Sequence, residues 1–196
     1  MCQVARRHSR SHVSLWMRSS MFDDCGAIID GCYRYRLWRQ WDARKRRQGW
    51  IMLNPSTADA TTDDATIRVC VGRARRLGYG SIEVLNIFAL RAANPSKLRQ
   101  HADPIGPENN EHLLAAFWGV ASIVVAWGNG GRYLDRGQAV LDLLFDAGLS
   151  GRFATLGLTA AGQPRHPLRI AYAVPLQRFP VPPATVGTAA PTSRCE

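Results

Sequence analysis

Four short apolar runs, each about as long as a β-strand, are spread along this 196-residue chain. They cover residues 49–53, 82–89, 121–127 and 153–158, and each contains few polar side chains. Near-continuous apolar runs of this length are typical of parallel strands that are covered on both faces of a sheet. They predict a sheet that is buried between two layers of helices.

Segments with helical periodicity separate these runs. In residues 64–77, apolar positions recur three and four residues apart, and Asp63 and Asp64 suit the N-terminus of a helix as caps. Strands that alternate with such helices imply crossover connections and parallel pairing. We therefore predict a three-layer α/β/α fold with a mostly parallel central sheet of about four parallel strands. Further helices are expected at residues 107–118 and 132–147, the second with Leu134 among its inward-facing side chains.

A partly alternating segment precedes the first apolar run. Residues 33–41 alternate in part between apolar and charged side chains, as a half-buried strand does. With residues 49–54 as its hairpin partner, this strand would add an antiparallel N-terminal edge to the sheet. The basic cluster at residues 44–47 would then be the hairpin tip, either as a plain solvated loop or as a phosphate contact.

The two ends of the chain differ in composition from its middle. Residues 1–20 are rich in Arg and Ser and contain no acidic side chain, which predicts a basic flexible arm. The same composition fits a transit peptide, or a segment that precedes a true start at Met21. Residues 175–196 are rich in Pro, Ala and Thr with little to bury, which predicts a disordered tail. A single α/β domain is expected over residues 21–174, since a chain of this length has room for one sizeable core.

The charge of the chain indicates what kind of partner it has. The formal net charge is +10 and the pI is near 10.1, which favours an anionic partner, either nucleic acid or a nucleotide. No apolar run approaches the ~20 residues of a membrane span, so no membrane partner is expected. The five cysteines form no C-x-x-C pair, which predicts reduced thiols and a cytoplasmic protein. The oligomeric state is left open.

A loop of Asn54, Pro55, Ser56 and Thr57 follows the first apolar run. In open α/β sheets, ligands bind in the crevice outside the carboxyl ends of the strands. The Asn54 amide offers both donor and acceptor to a water or a base edge, and Pro55 makes the turn rigid. Ser56 and Thr57 can cap a helix or bind phosphate. The alternative is an Asx-type turn that only reverses the chain.

Two further strand ends have polar or glycine-rich sequence. Asn86 interrupts an apolar strand, so that it is either a satisfied core amide or a group that reads a ligand. Trp127 and Gly128 open a glycine-rich turn, which either presents backbone N–H groups to an anion or is required for tight packing. The turn lacks the glycine spacing of dinucleotide-binding and P-loop sequences.

A late loop contains His166 and Pro167. A histidine in a loop is usually a surface residue. Here the preceding strand should end at the same edge of the sheet as the other motifs, which favours a role for His166 in the site. The chain has no G-x-S-x-G or H-E-x-x-H sequence, so those classes of hydrolase are not indicated.

An acid-rich turn precedes the first predicted helix. Asp59, Asp63 and Asp64 could together hold a divalent metal, but Asp63 and Asp64 also suit the helix N-terminus. Capping is the favoured interpretation, and no metal is predicted. Arg68, one turn into the helix, would pair with this cluster.

From about residue 25 to residue 168 the chain resembles the bacterial and phage domain-of-unknown-function family 1643. The family name carries no activity, so this resemblance implies the fold more than the function. It rests on residues 52–59, 64–68, 84–88, 103–109, 126–128 and 164–168.

The order of the motifs also resembles, more distantly, the uracil-DNA glycosylase superfamily. Those enzymes have a Gly-x-Asp/Asn-Pro loop that positions water and a strand that ends in a base-reading Asn. An apolar strand ending in Trp-Gly or a similar pair and a late His-Pro-Ser loop follow. The chain departs from this pattern at Met52, where Gly is usual, and at Leu168, which replaces Ser. The matching residues are Asn54-Pro55, Asn86, Trp127-Gly128 and His166-Pro167.

This resemblance implies a glycosylase-like fold and an N-glycosidase that acts on a base in nucleic acid without a cofactor. Asn54, a poorer general base than Asp, would orient the attacking water, and His166 would donate to the departing base. Asn86 would read the base edge, and the arginines at 73, 75 and 76, together with residues 44–47, could contact phosphate. The other substrate-binding residues would be Pro55, Ser56, Thr57, Arg68, Trp127, Gly128 and Pro167.

Two alternative functions remain open at this stage. The same pocket could bind nucleic acid or a modified nucleotide without turnover. A metal-dependent phosphohydrolase would instead use Asp59, Asp63, Asp64 and Glu108.

Overall fold

The computed structural model describes residues 3–5 and 25–180. Within these residues, one sheet contains eight strands, and three α-helices pack on it. The strands are β1 Gln3–Ala5, β2 Cys25–Asp30, β3 Tyr33–Gln40, β4 Arg47–Met52, β5 Ser81–Asn86, β6 Ser122–Val125, β7 Phe153–Thr155 and β8 Gln177–Arg178. The helices are α1 Ala65–Arg76, α2 Asn109–Phe117 and α3 Arg136–Asp146.

Four parallel strands form the centre of the sheet. The strand order is β1-β2-β3-β5-β4-β6-β7-β8, and the strands β5, β4, β6 and β7 pair in parallel. The predicted apolar runs form these strands, because helices cover both faces of the central sheet. Every residue of β5 is accordingly buried. The predicted mixed α/β fold, with about four parallel strands, is confirmed.

The predicted hairpin of residues 33–41 with residues 49–54 is wrong. β3 pairs antiparallel with β2 on one side and with β5 on the other, so that β5 separates β3 from β4. β4 pairs with β5 and β6 because a strand that is apolar on both faces is best covered at the centre of a sheet. β3 is also not an edge strand, since β2, which was not predicted, lies outside it.

The helices cover both faces of the sheet, as predicted. Ile67 of α1 packs in one core cluster with Trp50 of β4. Leu113 of α2 belongs to a second cluster, on the other face, together with Ile51 of β4. Successive residues of β4 thus face different helix layers, as the alternation of side chains along a strand requires. Among the described residues, no helix combines the length and apolar character needed to span a membrane.

α1 begins where it was predicted to begin. Asp64 is the N-cap, and its Oδ1 accepts a hydrogen bond from the Ile67 N–H at 2.9 Å. The apolar spacing of residues 64–77 includes Leu77 at its end, but Leu77 is the C-cap of α1 and is 51% exposed.

α3 begins later than predicted. A 3-10 segment, Gly128–Asp135, precedes it, and the backbone turns sharply at Leu134 and Asp135, whose φ angles are 54° and 48°. Leu134 was predicted to face the core but is exposed. The turn therefore interrupts the helical periodicity that the sequence suggested.

The carboxyl ends of the parallel strands share one edge of the sheet. The chain passes from β4 to β5 on one side and then crosses to β6 on the other, which leaves a crevice at the end of β4. The basic turn at residues 44–47 lies at the opposite edge, because it precedes β4. The six residues of β4 separate the basic turn from the crevice by roughly 17 Å, at ~3.3 Å per residue.

Regular structure continues past residue 174. β8 pairs with β7 inside the segment that was predicted to be a disordered tail. Likewise, β1 at Gln3–Ala5 pairs with β2 inside the segment that was predicted to be a flexible arm. Residues 1–2, 6–24 and 181–196 lie outside the described residues, so that the remainder of the arm and of the tail stay predictions.

The prediction that all cysteines are reduced thiols is wrong. Cys25 is disulfide-bonded, whereas Cys32 and Cys70 are free. Cys70 is buried in α1, and this burial raises the pKa of its thiol.

Candidate functional site

A cavity of about 340 Å³ lies at the edge where the parallel strands end. Small-molecule sites typically have volumes of ~300–1,000 Å³. The walls of the cavity come from the ends of β4 and β5, the loops after β4, β5 and β6, the first turn of α1, and a late loop. The cavity brings together five of the predicted site residues, namely Asn54, Ser56, Asn86, Trp127 and His166.

The backbone fixes the Asn54 side chain. Its Nδ2 donates to the carbonyl oxygens of Pro55 at 3.0 Å and of Ala92 at 2.7 Å. Both amide hydrogens are thereby used, and Oδ1 is the remaining polar atom that can accept a hydrogen bond. The Ala92 N–H also donates to the Pro55 carbonyl oxygen, at 2.8 Å. Asn54 therefore stabilises its own turn and also forms part of the cavity wall.

Asn86 ends β5 and is only 1% exposed. Its Oδ1 accepts a hydrogen bond from Arg34 Nη2 at 3.2 Å. Its Nδ2 is buried and has no hydrogen-bond partner among the described residues. A buried donor without a partner costs roughly 1–3 kcal/mol. The amide hydrogens of Asn86 are therefore available to an acceptor on a ligand in the cavity.

Arg34 is the second residue of β3. It lines the cavity, although it is only 2% exposed. Its Nη1 donates to the Ala58 carbonyl oxygen at 2.8 Å, and its Nε has no partner among the described residues. Burial lowers the pKa of the guanidinium to about 10, so that Arg34 keeps its charge at neutral pH. The cavity thus contains a buried positive charge.

His166 presents one ring nitrogen as a donor. Its Nδ1 accepts the Leu168 N–H at 3.3 Å, which places the proton of the neutral ring on Nε2. Burial lowers the pKa of His166, and the nearby Asp64 carboxylate opposes this effect. The imidazole is therefore neutral at pH 7 and can donate through Nε2.

The glycine-rich turn after β6 packs around Trp127. The indole Nε1 donates to Gln163 Oε1 at 3.0 Å. A Cβ atom on Gly131 would lie 2.1 Å from Trp127 Cδ1, and a Cβ atom on Gly130 would lie 2.6 Å from a methyl carbon of Leu53. Close packing therefore requires these glycines, which favours the packing interpretation of the turn over an anion site.

Five other predicted substrate-binding residues lie close by but do not line the cavity. Pro55 and Pro167 are buried, and Thr57 is exposed. Arg68 is exposed and donates to a backbone carbonyl oxygen of the turn before α1. The Gly128 N–H donates to the backbone of the late loop that contains the histidine. The contacts of Arg68 and Gly128 shape the site without direct access to a ligand in the cavity.

The acidic side chains before α1 have structural partners. Asp59 accepts backbone N–H groups of the two threonines that follow it, and these hydrogen bonds lower the pKa of its carboxyl. Asp63 accepts Arg39 Nε at 2.9 Å, and Asp64 caps the helix. In the part of the chain that the structure describes, no group of three His, Cys, Asp or Glu side chains could hold a metal ion. Glu108 is the N-cap of α2 and pairs with a histidine of that helix, His112, at 3.5 Å.

The arginines considered for phosphate contact have other partners. Arg73 is buried and donates to three carbonyl oxygens of the loop before β8. Arg75 and Arg76 each lie over an aromatic ring, 4.8 and 3.8 Å from its centroid. Arg47 forms an ion pair with Glu83 at 2.9 Å. These arginines therefore have partners within the protein, and none of them lines the cavity.

Two charged residues of the cavity, Arg34 and Asp64, were not predicted as ligand contacts. Because β3 is antiparallel to β5, the first residues of β3 lie at the edge where the parallel strands end. An arginine at the beginning of a strand can be predicted to contact a ligand only when the antiparallel pairing of that strand is known. Asp64 was recognised as a cap, but a cap that follows a strand-end loop also lies at the ligand edge.

Comparison with known protein families gives a match over most of the chain. The model of a family described as "Protein of unknown function (DUF1643)" matches residues 34–168. This segment includes every residue that lines the cavity. Neither the curated proteins nor the solved structures contain a match to the chain.

Proposed function

The chain belongs to this family of unknown function, DUF1643, and we propose that its cavity binds a nucleobase of nucleic acid and cleaves the bond from that base to its sugar. Such cleavage builds positive charge on the sugar and negative charge on the departing base. The observation that carries the proposal is the unpartnered Nδ2 of Asn86 in the cavity wall. An oxo group on the edge of a base is an acceptor that fits this donor.

The neutral His166 ring has the form needed for the second contact. Its Nε2–H donates to the oxygen on which negative charge grows as the base departs. A preorganised donor of this kind stabilises a transition state by roughly 3 kcal/mol. Because the ring is already neutral at pH 7, it donates without a prior change of protonation.

Asn54 orients the water in this mechanism. With both amide hydrogens bonded to backbone oxygens, its Oδ1 accepts a hydrogen bond from the attacking water. An amide oxygen positions water but does not remove its proton at neutral pH, so that after attack on the sugar cation this proton passes to the departing base anion or to solvent. The proposed enzyme therefore depends on stabilising the departing base more than on activating the nucleophile.

The motif order supports the same function through its resemblance to the uracil-DNA glycosylase superfamily. A base in a duplex must be flipped out to enter the cavity, which costs a few kcal/mol. Arg68 and Arg165 are exposed and adjoin cavity residues in sequence, and in this proposal they would contact the flanking phosphates. The basic turn at residues 44–47 is at the other edge and has no part in this contact.

A cleavage screen tests the proposal. Purified protein is incubated with single- and double-stranded oligonucleotides that carry uracil, hypoxanthine or another altered base, and alkali then breaks the strand at abasic sites. We expect breaks that form in EDTA with the wild type and with Arg44→Gln, which removes a charge at the opposite edge. The Asn54→Ala/His166→Ala double variant should lose at least roughly 100-fold in rate. Undiminished cleavage by the double variant would overturn the assignment.

A binding module without turnover is the second candidate, and the geometry of Asn54 favours it over the phosphohydrolase. The only side-chain acceptor that Asn54 offers is a weakly basic amide oxygen, so that the cavity can bind a base without hydrolysing its bond. Salt-sensitive binding of the oligonucleotides without strand breaks would identify this function. Cleavage that requires magnesium would instead indicate the phosphohydrolase.

A further inference from the structure

We propose that Arg34 and Asn86 form an oxyanion subsite at the inner end of the cavity, so that the ligand bears an anionic oxygen group at this point. The inference rests on the proposed function only in taking the same cavity as the ligand site. It identifies the chemistry of the part of the ligand that enters deepest.

The first observation is the burial of Arg34 without a carboxylate in contact. The residue is 2% exposed, yet its two hydrogen bonds go to neutral oxygens, the Ala58 carbonyl and the Asn86 amide. No carboxylate of the described residues lies within 4.0 Å of its nitrogens, in contrast to Arg36 and Arg47, which both pair with Glu83. A buried charge that has no partner is costly, and buried arginines are normally paired.

The second observation is a set of donors that lack acceptors. Arg34 Nε and Asn86 Nδ2 are both buried without partners among the described residues. The two side chains are neighbours, because Arg34 Nη2 donates a hydrogen bond to Asn86 Oδ1 at 3.2 Å. Arg91 Nε, just before the part of the chain that lines the cavity, is a third such donor. A group with several acceptor oxygens and no hydrogen of its own satisfies neighbouring donors of this kind best.

The surrounding charges do not neutralise the subsite. Asp64 and Asp59 attract the Arg34 charge, while Arg91 and Arg39 repel it. Both carboxylates are engaged in hydrogen bonds to backbone N–H groups of their own turns. Two positive and two negative neighbours leave the charge of Arg34 itself uncompensated.

Two ligand groups have the required chemistry. One is the phosphate of a nucleotide, and the other is the edge of an oxo base that has lost its ring proton. Both present anionic oxygen to a guanidinium and an amide N–H2. Binding of inorganic phosphate and binding of the free base can be measured separately, which distinguishes the two groups.

The test measures equilibrium binding by calorimetry. One arm uses inorganic phosphate, and the other uses free uracil and 5-fluorouracil, which ionises at lower pH, between pH 7 and pH 9. Arg34 stays charged over this range, since its pKa is about 10. If the ionised base is the ligand, affinity should rise by up to about tenfold per pH unit below the pKa of that base, and earlier for 5-fluorouracil.

The variants identify the binding group. Arg34→Gln should weaken whichever anion binds by at least about tenfold, because a charge-assisted hydrogen bond is lost. Arg44→Gln removes the same charge from an exposed site at the opposite edge and should bind as the wild type does. Equal binding by Arg34→Gln, or no binding of either probe by the wild type, would overturn the proposal.

A second variant keeps the test valid if Arg34→Gln does not fold. Asn86→Asp has the same shape and places a carboxylate next to Arg34, where it supplies the missing counter-charge. We expect a thermal midpoint at least equal to that of the wild type and loss of anion binding by at least about tenfold. Anion binding at wild-type strength by Asn86→Asp would contradict the subsite. Because neither measurement requires cleavage, an inactive protein that binds anions would refute the glycosidase alone.

Discussion

The two polar ends of the Asn86 side chain have different roles. Oδ1 bonds to Arg34 and helps to hold β3 against β5, whereas Nδ2 is left without a partner among the described residues. Asn54 has the reverse arrangement, with its N–H2 group used by the backbone and its oxygen left over. One amide thus offers a donor and the other an acceptor in the same cavity.

At the residue scale, the protonation of His166 is directly measurable. Burial places the pKa of this ring below 6.5, so that an unfolded chain takes up the proton first as the pH falls. His166 therefore reduces the stability of the fold below about pH 6.5 and has no such effect above it. An NMR titration should give a pKa below 6.5 and the Nε2–H tautomer. A pKa at or above 6.5, or the other tautomer, would contradict the donor role.

At the element scale, the turn between β6 and α3 shows how packing determines sequence. Replacement of Gly131 by Ala would place a Cβ atom 2.1 Å from Trp127, whereas the same change at Gly119 meets no atom within 4 Å. We expect Gly131→Ala to lower the free energy of unfolding by about 1–3 kcal/mol, which urea denaturation would measure. The control, Gly119→Ala, should be nearly neutral. An equal effect of both changes would show that Trp127 is not closely packed.

The N-terminus of α1 allows a second test at this scale. Asp64→Ala removes the hydrogen bond to the Ile67 N–H and should cost about 1 kcal/mol in the free energy of unfolding. Asp64→Ser keeps a capping oxygen and should restore most of that loss. If the two variants were equally unstable, the main role of Asp64 would lie outside the cap.

The sequence predicted elements well where composition alone determines burial. The runs that became β4, β5 and β6 are apolar on both faces, so their central position follows from the pattern. The extension of α3 back to residue 132 was wrong because a backbone with positive φ at Leu134 and Asp135 leaves no trace in hydrophobic periodicity. The strand β2 was missed because a six-residue strand with Gly and Ala near its start resembles a loop.

At the scale of the whole molecule, one buried carboxylate connects three strands. Glu83 of β5 is fully buried and accepts Arg36 of β3 at 2.8 Å and Arg47 of β4 at 2.9 Å. Glu83→Gln removes the charge that both arginines share and should lower the free energy of unfolding by roughly 3–5 kcal/mol. The exposed pair of Asp42 with Arg44 provides a control. Thermal denaturation of both variants should show a much smaller loss of stability for Asp42→Asn than for Glu83→Gln. Similar losses in both variants would contradict this difference.

The candidate site could be predicted from the sequence only where its residues follow parallel strands. Asn54, Asn86 and His166 were found because the carboxyl ends of such strands share one edge. Arg34 was missed because its place depends on the antiparallel pairing of β3 with β5, which no local pattern specifies. The phosphate contact considered for residues 44–47 stays a prediction, and the turn lies at the edge opposite the cavity because it precedes β4. Charge density alone does not indicate at which end of a strand a loop lies.

Binding of single-stranded oligonucleotides that each carry one altered base shows whether the cavity recognises a nucleobase. Affinity is measured for the wild type, for Asn86→Leu, which keeps the volume but removes the donor, and for Arg44→Gln. We expect at least one altered base to be preferred over its normal counterpart. Asn86→Leu should lose this preference by about tenfold, and Arg44→Gln should retain it. An unchanged preference in Asn86→Leu, or no preference across the whole panel, would show that the cavity does not read a base.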